Sequence, residues 1–212
     1  MNIYTYYKPI QAMGGKAQEL IIDIWKKSWI GAGFVPVVIG ENEARSNPMF
    51  PRYSDIMAVK PLMNMADYEL ACFFRWAAMS QIGGGLMADY DCLNNGFSPD
   101  DIQETEMTIY EPPHIPCLVS GSALEYHRMM EMFMRFNISD YKDWLKPHSH
   151  GGKGTSDMLI LANYPEEFKT MPYVRQYTDS GWETSKAIHF SNRSCGGQKL
   201  SEMNKWLKTL ST

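Results

Sequence analysis

A chain of 212 residues is long enough for one well-packed core and too short for two full domains, so a single domain over 1–212 is expected. Its 20 Lys and Arg against 24 Asp and Glu leave a formal charge of −4 without a basic run, which argues against nucleic acid held along a phosphate-tracking stripe. No segment approaches the ~20 apolar residues of a membrane span and the N-terminus lacks a signal-peptide apolar run, so a soluble, cytoplasmic protein is expected.

Cys72, Cys92, Cys117 and Cys195 form no C-x-x-C pair, which argues against a zinc ribbon and for reduced thiols that pack as small core residues. In chain order, Asn2 to Tyr6 alternates like a strand. A helix follows over about Lys16 to Ser28, with Leu20, Ile21, Ile24 and Trp25 on one face. The apolar run from Phe34 to Ile39, with Pro36 near its start, reads as a buried strand, and strand, helix, strand at this spacing is a βαβ unit opening a parallel sheet. Ligands in such sheets sit beyond the carboxyl ends of the strands, here Thr5, Tyr6 and Tyr7, although these aromatics serve equally as ordinary strand residues. Glu41 to Asp55, polar and holding Pro48 and Pro51, reads as a loop over those ends, followed by a short strand at Ile56 to Val59.

Tyr68 to Ile82 reads as a helix with Asp67 as N-cap and Gly83 as its stop. It runs into Gly83-Gly84-Gly85-Leu86-Met87-Ala88-Asp89-Tyr90-Asp91, where Leu86 to Ala88 is a strand. Residues i and i+2 of an extended segment point the same way, so Asp89 and Asp91 aim two hard oxygen donors at one point, a set suited to Mg²⁺ or Mn²⁺. Asn94 to Asp101 is dense in turn formers, and Asp100 and Asp101 read as solvated or as a helix N-cap. Met107 to Tyr110 and Ile115 to Val119 read as strands, and Ser120-Gly121-Ser122 opens a helix reaching about Arg135. Lys146 to Asp157 holds His148, His150 and three glycines. It is not a P-loop, because Gly154 follows Lys153, and it reads as a mobile loop covering a substrate.

Asp157 begins a short helix and either faces the reacting group or caps that helix. Val174 to Tyr177 and Ala187 to Phe190 read as strands flanking a turn at Trp182, whose ring either stacks on a sugar or closes the core. Leu200, Met203, Leu207 and Leu210 form the apolar stripe of a terminal helix, and the end two residues later is compatible with a domain excised from a longer polypeptide.

Helix, glycine turn, strand and acidic pair together resemble the GT-A nucleotide-sugar glycosyltransferases that carry an Arg on a helix and then Gly-Gly-Ile-Tyr-x-Asp-x-Asp. Gly84 to Asp91 follows that pattern with Leu-Met for Ile-Tyr, and the added Gly83 places Arg75 one residue further from the glycine pair. The chain is also similar to glycosyltransferases of large DNA viruses of algae. The resemblance implies an α/β fold, a single GT-A (Rossmann-like) domain whose mixed, mostly parallel central sheet is flanked by helices. It implies a nucleoside diphosphate sugar of the UDP type as donor, a glycan hydroxyl as acceptor, Mn²⁺ or Mg²⁺ as cofactor, and host cytoplasm if the chain is viral. Metal ligands would be Asp89, Asp91 and the late His189, which lacks the family's following Lys-Pro-Trp. Donor contacts would come from Thr5, Tyr6, Arg75, Asp89 and Ser120, with Arg193 or Lys199 neutralising the diphosphate. Asp157 would be the base of an inverting reaction.

Two other readings use the same residues. Asp-x-Asp after an apolar strand also fits a haloacid-dehalogenase-like phosphohydrolase, with Asp89 as nucleophile, Asp91 as acid/base, and Lys153 and Asp157 as later elements. That family places a Thr or Val where Leu93 stands. A non-catalytic nucleotide-sugar-binding module is the third.

Overall fold

The structure is a computed structural model describing residues 1–103 and 105–209. Strand β1 (Asn2–Tyr6), helix α1 (Gly15–Ile30) and strand β2 (Val35–Ile39) form the expected βαβ unit, with β1 and β2 parallel and Tyr4 opposite Val37. Helix α1 buries Ile21, Ile24, Trp25, Ser28 and Trp29 at helical spacing. Leu20, assigned to that face, is exposed instead. Strand β2 is buried only at Ile39: it lies at the sheet edge with Val35 and Val38 exposed. An edge position tolerates Pro36, because one side of the strand has no ladder to fill.

The expected loop over Glu41 to Asp55 is two helices, α2 (Glu41–Ser46) and α3 (Phe50–Val59). Glu43 accepts the Gly40 N–H at 2.7 Å, Arg45 pairs with Glu41 one turn earlier, and Pro51 sits in the first turn of α3. Only Phe50, Tyr53 and Met57 of α3 are buried, so a three-residue apolar face is diluted by polar neighbours. The strand expected at Ile56 to Val59 is the last turn of α3, which forms because Met57 completes that face.

Helix α4 (Ala66–Gln81) starts earlier than expected, with Met65 at the N-cap and Asp67 inside the first turn. After it come β3 (Gly84–Ala88), β4 (Cys92–Asn94), β5 (Thr108–Glu111), β6 (Ile115–Ser122) and α5 (Ala123–Arg135). The chain continues through α6 (Asp157–Asn163), β7 (Lys169–Thr170), β8 (Val174–Gln176), β9 (Ala187–His189), α7 (Asn192–Cys195) and α8 (Lys199–Thr209). The architecture is mixed α/β, with a mostly parallel six-stranded sheet flanked by helices. Its order is β2-β1-β3-β6-β5-β7, in which β6 runs antiparallel to both neighbours, and β4-β9-β8 form a second, small sheet. Alternation along β3 sends Met87 into a core shared with α4 and α5, and Leu86 and Ala88 into one shared with α1 and the small sheet. On α8, Met203 is buried and Leu200 and Leu207 are half-buried, while Leu210 lies outside the described residues. No helix among the described residues is long and apolar enough to cross a membrane.

The glycine triplet fixes how closely α5 approaches β3. A Cβ on Gly84, at φ +81°, would lie 2.5 Å from the backbone of Ser122 and Ala123, whereas one on Gly83, at φ +103°, meets nothing within 4 Å. Gly83→Ala should therefore cost only backbone strain, about 1–3 kcal/mol. Gly84→Ala should cost clearly more, because α5 must also move, and urea unfolding of the two variants checks the order.

Candidate metal centre

Strands β1 and β3 are parallel neighbours, so their carboxyl ends lie on one edge: Tyr6 ends β1 and Asp89 follows β3. The backbone then turns sharply. Asp89 N–H donates to Cys117 O at 2.7 Å and Cys92 N–H donates to Asp89 O at 2.9 Å. Asp91 O accepts from Phe190 N–H at 2.8 Å, which sets β9 against the acidic turn. Asp89, Asp91 and His189 consequently offer one ligand atom each, all within 4.8 Å of one another. His189 Nε2 lies 3.6 Å from Asp91 Oδ1, and Nδ1 lies 2.7 Å from Glu111 Oε2.

Two cations are built into this acidic cluster. Lys199, from the start of α8, pairs with Asp91. Arg75, from α4, pairs with Asp89 and at 2.6 Å with Asp157, so the extra Gly83 does not separate it from the acidic pair. Asp157 Oδ2 also accepts from Trp76 Nε1 at 3.0 Å and Oδ1 from Met158 N–H at 2.7 Å, which occupies both oxygens. Burial opposes charge on His189, but the flanking Glu111 and Asp91 carboxylates outweigh it and hold its pKa up at about 10. Burial likewise opposes charge on Asp91, yet Lys199 and His189 keep its pKa below the ordinary value. At Asp89 burial prevails over Arg75, and the neighbouring Asp91 adds to the upward shift. Two carboxylates and one imidazole are a donor set that fits a divalent ion of the Mn²⁺ type, provided His189 gives up its Nε2 proton.

Two adjoining cavities meet at Asp89 and Asp91. The smaller, about 90 Å³, is walled by Tyr6, Tyr68 and Tyr90 with Lys8 at its side. The larger, about 310 Å³, is bounded by Glu69, Arg75, Asp157, His189, Arg193 and Lys199.

Of the residues singled out in the sequence, Tyr6, Arg75, Asp89, Asp91, Asp157, His189, Arg193 and Lys199 thus line one connected cleft. Thr5 is fully buried within β1 and lines neither cavity. Ser120 is also buried away from the cleft, in β6, bonded to Tyr110 Oη at 2.8 Å and Gln103 O at 2.5 Å, so its hydroxyl is not presented to a donor. Ser122 caps α5 through Glu125 N–H. Trp182 packs on Tyr177 and Trp206 outside the cleft. Lys153, His148 and His150 are exposed, and no trio of potential metal ligands among the described residues includes either histidine. The segment around them is bonded to its surroundings, with Thr155 N–H on Pro61 O at 2.7 Å and Tyr141 Oη on Gly154 O at 3.0 Å.

Two carboxylates emerge that sequence patterns do not mark. Glu111 ends β5 just beyond the expected strand, before Pro112-Pro113, and such a terminal carboxylate is its only sequence signal. Glu69 is buried in the first turn of α4, accepts from Asn64 and borders the larger cavity. Burial raises its pKa to about 7 against the Asn64 hydrogen bond, with Asp157 adding to the rise.

Residues 1–104 match a known family, a domain of unknown function (DUF8765). That stretch carries Tyr6, Glu69, Arg75, Asp89 and Asp91, while Glu111, Asp157, His189 and Lys199 lie beyond it. No curated protein matches the chain.

Proposed function

We propose that the protein is a GT-A-type glycosyltransferase that uses a divalent metal, Mn²⁺ in preference to Mg²⁺, to move a hexosyl or deoxyhexosyl group from a UDP-type sugar to a glycan hydroxyl. The observation that carries this reading is the convergence of Asp89, Asp91 and His189 at the carboxyl edge of β1 and β3, between a tyrosine-walled and a charged cavity. The imidazole in the donor set supports Mn²⁺, since Mg²⁺ favours oxygen ligands alone. When bound, such an ion supplies positive charge against the diphosphate as it leaves.

The residues of the chain divide the remaining work. Tyr6, Tyr68 and Tyr90 offer flat walls to a base. Lys199, paired with Asp91, and the exposed Arg193 stand where a diphosphate would bring negative charge, and they would stabilise it as the bond from the anomeric carbon to the phosphate oxygen breaks and the acceptor oxygen takes its place. Arg75 holds Asp89 and Asp157 in place from a buried position. In an inverting transfer a carboxylate takes the acceptor proton. Asp157 would have to surrender Arg75 to do so, whereas Glu69 makes no salt bridge among the described residues and has a proton affinity near neutrality.

Calorimetric titration of UDP-sugars with and without Mn²⁺ tests the reading. Donor binding should tighten by at least about tenfold with the ion present, in line with ligand coupling of 1–3 kcal/mol. Equal affinity in the presence of excess chelator would sink it.

A further inference from the structure

Glu111 joins the two sheets at the back of His189. Its Oε2 accepts from His189 Nδ1 at 2.7 Å and from Cys117 Sγ at 2.8 Å, while Oε1 accepts from Gln176 Nε2 at 2.9 Å. Gln176 Oε1 in turn accepts from Ser191 Oγ at 2.9 Å, two residues after the histidine. The carboxylate therefore sits at the centre of a buried network drawn from β5, β6, β8 and β9, with Glu111 and His189 4% and 7% exposed.

That geometry decides which nitrogen of the ring faces the cleft. An ionised carboxylate only accepts, so the ring hydrogen at this contact lies on Nδ1. The opposite nitrogen, Nε2, then points at Asp91 and, once it gives up its proton, offers its lone pair to whatever Asp89 and Asp91 hold. Glu111, Cys117 and His189 also lie close enough to one another to form a ligand trio of their own. Both Cys117 and His189, however, already converge on the same oxygen at hydrogen-bond distance, so these atoms satisfy one another and hold the ring.

We propose that Glu111 is a positioning residue for metal binding: it fixes the tautomer and rotation of His189 so that Nε2 completes the Asp89–Asp91 site, with Cys117 and Gln176 fixing Glu111 in turn. The inference rests on the metal-dependent reading above. Outer carboxylates of this kind commonly contribute 10–100-fold in metal affinity, and about that loss is expected here.

The experiment measures free Mn²⁺ by electron paramagnetic resonance in titrations of the whole protein: wild type, Glu111→Gln, His189→Ala, the double variant and Asp91→Ala. Support consists of about 10–100-fold weaker binding in Glu111→Gln, with no further loss when it is added to His189→Ala. An equal loss in both backgrounds overturns the role, since Glu111 would then act without the histidine. Unchanged affinity in Glu111→Gln, with affinity lost in Asp91→Ala, overturns the inference and leaves the metal reading intact. No Mn²⁺ bound by the wild type overturns both. If Glu111→Gln does not fold, Gln176→Ala removes one fixing hydrogen bond, and a severalfold weakening is the expected result; unchanged affinity there counts against the role.

Discussion

Asp91→Ala is expected to lower the rate of sugar transfer by about 10²–10³-fold, the scale of losing a group that stabilises charge developing on the reacting centre. Asp91 is the hinge of the cluster: it pairs with Lys199, faces His189, and through its carbonyl holds Phe190. On the proposed reading, its loss removes one metal ligand and frees Lys199, the cation proposed to meet the diphosphate. Asp100→Ala, on the neighbouring exposed turn, should leave transfer unchanged and serves as the control. A pH signature accompanies the kinetic one. The folded-state pKa of His189, about 10, lies above the ordinary 6.5, so its pairing stabilises the metal-free protein fully below pH 6.5 and is lost as pH rises through about 10. Without Asp91 one of the two flanking carboxylates is gone, and the upper end of that window should move down. Thermal unfolding across pH 6–10 in excess chelator, compared between wild type and variant, reads the shift.

Arg75→Met should cost about 3–5 kcal/mol of stability, because it leaves the Asp157 carboxylate buried with its ionic partner removed. Arg75 and Asp157 have side chains 8% and 5% exposed, so water cannot take over from the guanidinium. The Asp89 contact adds less, since that side chain is about one-third exposed. Removing both members, as Arg75→Met with Asp157→Leu, should recover much of the loss, since an apolar pair of similar volume replaces a desolvated ion pair. Urea unfolding of the two single variants and the double one measures the coupling; simple additivity would show that the pair does not act as a unit.

How much of this was legible in the sequence depended on the range over which each residue acts. The βαβ unit, α4 and the strand before Asp89 follow from local periodicity and glycine placement, so they could be read directly. The i, i+2 spacing likewise announced the Asp89–Asp91 pair. Helices α2 and α3 escaped because three buried residues, Phe50, Tyr53 and Met57, are spread among charges and prolines that imitate a loop. Strand β2 misled in the opposite sense, its apolar run suggesting burial where Val35 and Val38 line an open edge. Ser120 is a hydroxyl whose partners, Tyr110 and Gln103, become visible only when β5 and β6 pair. Long-range pairings were the least legible. Glu111 meets His189 across 78 residues, and Arg75 meets Asp157 across 82, distances over which no local pattern marks a partner.

The connection of Asp91 O to Phe190 N–H, with β4 laid on β9, has a consequence for how the centre comes into being during synthesis. The acidic pair leaves the ribosome about 100 residues ahead of His189, an interval of roughly 5–20 s at ordinary elongation rates. Throughout that interval Asp89 and Asp91 stand without the His189 ring, and Asp91 awaits both that ring and Lys199. On the proposed metal-dependent reading, full-strength ion capture waits until β9 and α8 have joined the acidic turn, so ion affinity would gauge whether those distant segments have come together.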